Sequence, residues 1–280
     1  MYLSNYLFLK LKNEIKSSKL GKISILTVCL FSILSIFAFL SPYDSNGIDM
    51  ANRLQPPNLS HFFGTDIMGR DYFTRILYGG RISLSVGFLS MIISTSIGSF
   101  IGSICGYYEG NLDSILMRIV DILTCIPSFF VILVLNAYLK PGISTIIFVI
   151  GCLGWMQTAR LVRAQTLSVK KQEYVLYAKT LGISSRKIII KHIMPNIMPT
   201  IITASSISIA SAILTESALS FLGMGIKSPS ASWGSMLSKS QQYIEDASYL
   251  CIFPGMFILL TVLSFNILGN LLRESLEPKK

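Results

Sequence analysis

Apolar residues fall in six long runs that are nearly free of charge, separated by shorter polar stretches. The first, residues 23–40, holds eighteen consecutive uncharged positions. Coiled as a helix it would be about 27 Å long, close to the hydrocarbon thickness of a bilayer. Ser41-Pro42 ends it, and no small-residue cleavage site follows, so it reads as an uncleaved span rather than a signal peptide. Five further runs, at 82–106, 114–138, 143–159, 197–222 and 249–272, read the same way. The pattern predicts an all-α polytopic membrane protein with six transmembrane helices.

The polar stretches supply the orientation. Residues 41–80 are turn-rich, and Arg53, Arg70 and Arg75 nearly balance Asp44, Asp49, Asp66 and Asp71. Residues 161–196 instead carry Arg163, Lys170, Lys171, Lys179, Arg186, Lys187 and Lys191 against the single acid Glu173. Five lysines precede the first span, and Arg273, Lys279 and Lys280 follow the last. Basic loops stay on the cytoplasmic side. The chain therefore divides into a cytoplasmic segment (1–22), a first span (23–40), an external loop (41–80), a five-helix core (81–272) with a cytoplasmic loop at 161–196, and a cytoplasmic tail (273–280). Both termini are expected inside, and the location is the cell membrane.

Composition agrees: 51% of the 280 residues are hydrophobic and 14% charged, against about 25% charged in soluble domains. The net charge of +10 then belongs to inner loops rather than to a nucleic-acid surface. Five cysteines lie scattered in apolar segments without CxxC spacing, so neither a zinc site nor a disulfide framework is expected. His61 and His192 fall on opposite sides of the membrane and form no metal site. No G-x-x-x-x-G-K-[ST] loop is present to cradle ATP phosphates. No nucleophile, base and orienting group can be assembled. A non-catalytic chain without a cofactor of its own is expected.

Three features within the spans stand out. Ser90, Ser94, Gly98, Gly102 and Gly106 recur every four residues, a helix face on which another backbone can come close. Glu216 lies inside the fifth span, where an acid is costly unless it faces protein or water; it either lines a pathway or pairs with a loop arginine. Arg118 and Asp121, three apart, read as a local ion pair. Embedded acids and inverted repeats, which a stand-alone secondary transporter would need, are otherwise missing.

The stretch "YAKTLGISSRKIIIKHIMPN", residues 177–196, is basic and broken at Gly182. From 167 to 181 the apolar positions Tyr174, Tyr177, Ala178 and Leu181 follow helical spacing. Gly182 suits the position just past a helix end, Ser184 or Ser185 the start of a second helix over 186–194, and Pro195 the entry to the next span. Such a loop either rests on anionic lipid or docks into a partner's cleft.

The order of residues here resembles the EAA loop of ATP-binding-cassette importer permeases: Ala178 and Gly182 as A-x-x-x-G, then His192, Ile193, Met194, Pro195 and Asn196. The family's Glu-Ala-Ala is Leu176, Tyr177, Ala178 in this chain, and Met194 replaces its usual leucine. Five further strings resemble the second permease subunit of peptide and nickel importers: "FGTDIMGRDYFTRILYGGRISLSVG" (63–87), "MRIVDILTCIPS" (117–128), "GWMQTARLVRAQTLSVKKQEYV" (154–175), "LTESALSFLGMGIKSPSASWGSML" (214–237) and "FPGMFILLTVLSFNILGNLLRESLEP" (253–278). The resemblance implies a type I importer permease fold and half of a translocation pathway. It also implies partners: a related permease subunit, two ATPases that bind the ATP, and an extracytoplasmic binding protein. Glu173, Tyr177, Ala178, Gly182, His192, Pro195 and Asn196 would then form the ATPase-coupling loop. Peptides are the expected substrate, with nickel or a metal chelate as the alternative.

Overall fold

The computed structural model describes residues 18–139 and 142–276, and every regular element among them is helical. Most of the basic N-terminal segment, with Lys279 and Lys280, lies outside the described residues. Helix α1 (Lys19–Ile36) starts where Ser18 accepts a hydrogen bond from Gly21 N, and ends in a tight turn at Phe37–Leu40. Then come α2 (Tyr72–Tyr108), α3 (Gly110–Cys125), α4 (Ser128–Tyr138), α5 (Ile143–Lys170) and α6 (Glu173–Thr180). A short helix α7 (Ser185–Ile188) runs through a π-turn (Ile189–Ile193) into α8 (Met194–Phe221). The last two are α9 (Trp233–Ser240) and α10 (Tyr249–Leu276). Among the described residues five helices are long and apolar enough to cross a membrane, six if α3 and α4 count as one broken span.

Several predicted boundaries shift, each for a local reason. The loop expected through residue 80 ends at Asp71, whose carboxylate accepts Thr74 N at 2.8 Å and starts α2 ten residues early. The span predicted over 114–138 is two helices bent by 80°. Pro127 lacks an N–H and disfavours helical geometry at the residue before it, and Ile126 is accordingly extended (φ −92°, ψ 124°). The fourth span does not stop at residue 159 but continues as helix to Lys170. The helix expected over 167–181 is therefore the end of α5, a break at Lys171, and α6. No turn separates the second loop helix from the next span either. The π-turn carries the helix through Pro195, and the Asn196 side-chain amide donates to the His192 carbonyl at 2.7 Å.

The bundle is organised around α2 against α5. A methyl at Gly98 would lie 2.7 Å from Trp155 O, one at Gly102 2.5 Å from Ala159 O, and one at Gly106 2.7 Å from Arg163 O. Ser90 Oγ donates to Ile147 O at 3.1 Å. The small-residue stripe is thus a seam where two helix backbones touch. At one end of the bundle, Trp233 is fully buried, with its ring N–H donating to Ile76 O at 2.9 Å. Phe31 and Phe63 stack on Phe257 and Phe253 of α10 at 4.2 and 3.8 Å, tying α1 and the 41–71 loop to the bundle. At the other end Tyr107, Val162, Ile188, Ile193 and Ile197 form a separate cluster.

Candidate functional site

A cleft of about 330 Å³ opens among α2, α5, α8 and the α3–α4 bend. Ser90 and Ser94 of α2, Gln157 of α5 and Ser208, Ser211 and Thr215 of α8 line it, with Thr124 and Ser128 from either side of the bend. Apolar Ile132, Ile150 and Leu153 complete the wall, and no charged side chain does. The α8 contributors Ala204, Ile207, Ser208, Ser211, Ala212 and Thr215 follow the period of one helix face. Serine and threonine recur all round the fifth span, so nothing in the sequence marked this face as the one toward the cleft. An uncharged, hydroxyl-rich cleft offers donors and acceptors to a polar ligand without selecting a charge.

Glu216 is the neighbour of Thr215, but one residue is a rotation of about 100°, and its carboxylate faces away from the cleft. It is fully buried and meets serine hydroxyls rather than an arginine. Ser220 Oγ donates at 2.6 Å and Ser83 Oγ at 3.3 Å; Ser83 Oγ also accepts Trp233 N, while Ser220 Oγ accepts Ile226 N. Glu216 thus lies off the wall of this cleft and bonds serines where a loop arginine was expected. It fastens α2 and the 222–233 segment to α8. Glu216→Gln, nearly isosteric and able to keep both serines bonded, is expected to assemble and function normally. Glu216→Leu orphans buried hydroxyls at about 1–3 kcal/mol each and should lower the yield of assembled protein. Equal yields for the two variants in detergent-extracted membranes would contradict this account.

At the far end of α5 and α8 the chain forms an elbow. Lys171 and Gln172 break α5, α6 follows, and Gly182 sits at φ +75°. Ile183 N donates to Ala178 O at 3.2 Å and Gly182 N to Lys179 O at 3.1 Å, the paired bonds of a Schellman cap. Glu173 lies in the first turn of α6 and Lys179 in its last, each favourable to the helix dipole. Ser184 precedes α7, although its side chain makes no capping bond. Of the four apolar positions at helical spacing, Ala178 alone is buried. Val175 and Ala178 pack inward, whereas Tyr174, Tyr177 and Leu181 project into solvent. That leaves a helix whose outward side is an aromatic and aliphatic knob flanked by Lys171 and Lys179.

Two ion pairs fasten α3 to the α5 end of this elbow. Arg163 forks onto Asp113 with both contacts at 2.5 Å. Lys170 Nζ donates to Glu109 at 2.9 Å and to the Tyr107 carbonyl at 2.6 Å. Glu109 itself has φ +54°, uncommon for a residue with a Cβ, in the turn between α2 and α3. Asp121, expected to pair with Arg118, instead meets Arg160 of α5 at 2.6 Å. Facing helices brought that partner closer than sequence neighbours could. Only Asp113 and Val120 of α3 are buried, so these ion pairs are its main attachment to α5.

Residues 98–280 match the family described as the binding-protein-dependent transport system inner membrane component. The chain belongs to this family. It is 39% identical over 265 residues to the oligopeptide transport system permease protein OppC of Bacillus subtilis, covering 94% of this chain and 87% of that one. With the dipeptide permease protein DppC of the same organism it shares 40% identity over 268 residues, 95% and 84% of the two chains. The probable D,D-dipeptide permease protein DdpC of Escherichia coli K12 is 39% identical over 271 residues, 96% and 91% of the chains. The chain is therefore a multi-pass membrane component of a transport system, and its cleft and elbow are the features to explain.

Proposed function

We propose that this chain forms one half of the translocation pathway of an ATP-driven peptide importer, with its termini and elbow in the cytoplasm. The uncharged, hydroxyl-lined cleft carries the reading. Peptides of varied sequence share backbone N–H and C=O groups, which serine, threonine and glutamine can bond without reading side-chain charge. Relatives named for oligopeptide and dipeptide transport, similar along nearly the whole chain, support the same substrate class. A bare metal cation would meet no histidine, cysteine or carboxylate on the cleft wall.

The elbow is the proposed dock for a partner ATPase, and a second, related permease would close the open side of the cleft. An extracytoplasmic binding protein would deliver the peptide. The mechanics follow from helix continuity. The segment α5 runs unbroken from Gln157 at the cleft to Lys170 at the elbow, and the helix from Ser185 runs unbroken to Thr215. Movement of α6 therefore displaces two cleft walls together. The Lys170–Glu109 and Arg163–Asp113 pairs carry α3, and with it Thr124, in the same direction. Cysteines introduced at Asn58 and Lys171 should label from opposite sides of the membrane if the orientation holds.

Function is tested by reconstituting the chain with its partner permease, ATPases and binding protein in vesicles. Uptake of a labelled peptide should require ATP, stop with vanadate, and compete with unlabelled peptide but not with nickel. Uptake driven by a proton gradient without ATP, or nickel uptake unaffected by peptide, would overturn it.

A further inference from the structure

At the end of the bundle opposite the elbow, the 41–71 loop meets α9 in an unusual balance of charge. Asp66 Oδ2 accepts Arg70 Nε at 2.8 Å and Arg70 Nη2 at 2.6 Å, and lies 3.4 Å from Arg75 Nε. Its other oxygen accepts Met68 N and Arg70 N at 2.8 and 3.1 Å. Both arginine side chains are at most 4% exposed. The carboxylate is therefore saturated while serving two buried cations. Asp71, next along, is committed to His61, Thr74 N and Thr74 Oγ1. A third cation, Lys239 of α9, joins Arg70, Arg75 and Asp66 around one small cavity. Burial, then Arg75 and Arg70, push the ammonium pKa of Lys239 down, and Asp66 only partly opposes them.

The cavity holds about 20 Å³, enough for one particle the size of water. We propose that it is a binding site for a single halide-sized anion, chloride being the abundant one. The anion would offset the excess of three cations over one carboxylate and pin α9 to the 41–71 loop. The α9 segment and that loop share no other charged cluster of this kind among the described residues.

The test uses the intact transporter complex in detergent at constant ionic strength, with sodium chloride progressively replacing sodium gluconate. The thermal midpoint should rise saturably with chloride, bromide should substitute, and gluconate should not. Lys239 reaches solvent, so Lys239→Gln should fold, while the half-saturating chloride concentration rises about ten-fold or more as one charge is removed from the cavity. Lys239→Arg should restore it. Identical melting in chloride and gluconate would overturn the site, as would an unchanged half-saturation in Lys239→Gln.

Discussion

Gly182→Val is expected to cut coupled uptake five- to thirty-fold while leaving the permease inserted and paired. The backbone at Gly182 is left-handed, φ +75°, and a β-branched residue there costs about 1–2 kcal/mol. A Cβ at this position would meet no atom within 4 Å, so the penalty is purely conformational and no packing is lost. One or two kcal/mol corresponds to a factor of about 5–30 in a two-state population. It falls on the Schellman cap that aims Tyr174, Tyr177 and Leu181 outward. The bundle, held by its apolar spans, should tolerate it. The measurable outcome is ATPase subunits lost on purification, or ATP turnover without uptake. Asparagine, which enters the left-handed region more readily, should recover much of the loss. Wild-type uptake with the ATPases retained in Gly182→Val would show that the elbow is not the joint.

Gly102→Val should fail earlier, at assembly. Here the backbone is ordinary helix and the constraint is space. A Cβ would sit 2.5 Å from Ala159 O and 2.9 Å from Val162 Cβ, and a helix backbone cannot retreat as a flexible side chain can. Overpacking of this kind costs about 1–3 kcal/mol in soluble cores, and two bulky methyls against a carbonyl belong at the upper end. The α2–α5 seam carries cleft residues on both sides, so separating it also distorts Ser94 and Gln157. Complex yield in detergent should fall several-fold, with Gly102→Ala intermediate. Normal yield and uptake for the valine variant would mean the two helices are not packed as described.

The two glycines show how differently sequence speaks. Gly182 is legible alone: a glycine after a helical pattern and before serine signals a left-handed cap, because only the local backbone is involved. The four-residue stripe is equally legible as a close seam, but its partner is not. Nothing in the sequence pairs Gly102 with Ala159 rather than with another span's small residue. The same limit explains Asp121. Its neighbour at i−3 is an arginine, yet Arg160 on a facing helix takes it. Pro127 carried a warning of its own, since a proline within a predicted span argues for a bend; the 80° angle depended on what α3 and α4 pack against.

Hydrophobic run length and basic-loop bias made the apolar segments, their expected sidedness and the place of the elbow legible in the chain, while whether the bent α3–α4 pair counts as one span was not. These are properties of the chain in its solvent: the cost of leaving charge or backbone unsatisfied in hydrocarbon is paid locally, segment by segment. The direction each helix faces was decided only by tertiary packing. Thr215 lines a cleft while Glu216 is sealed among serines, and Val175 packs inward while Tyr177 points out. In segments that are apolar or small all round, no amphipathic stripe marks an inside, and rotation about the helix axis is settled by which neighbours fit.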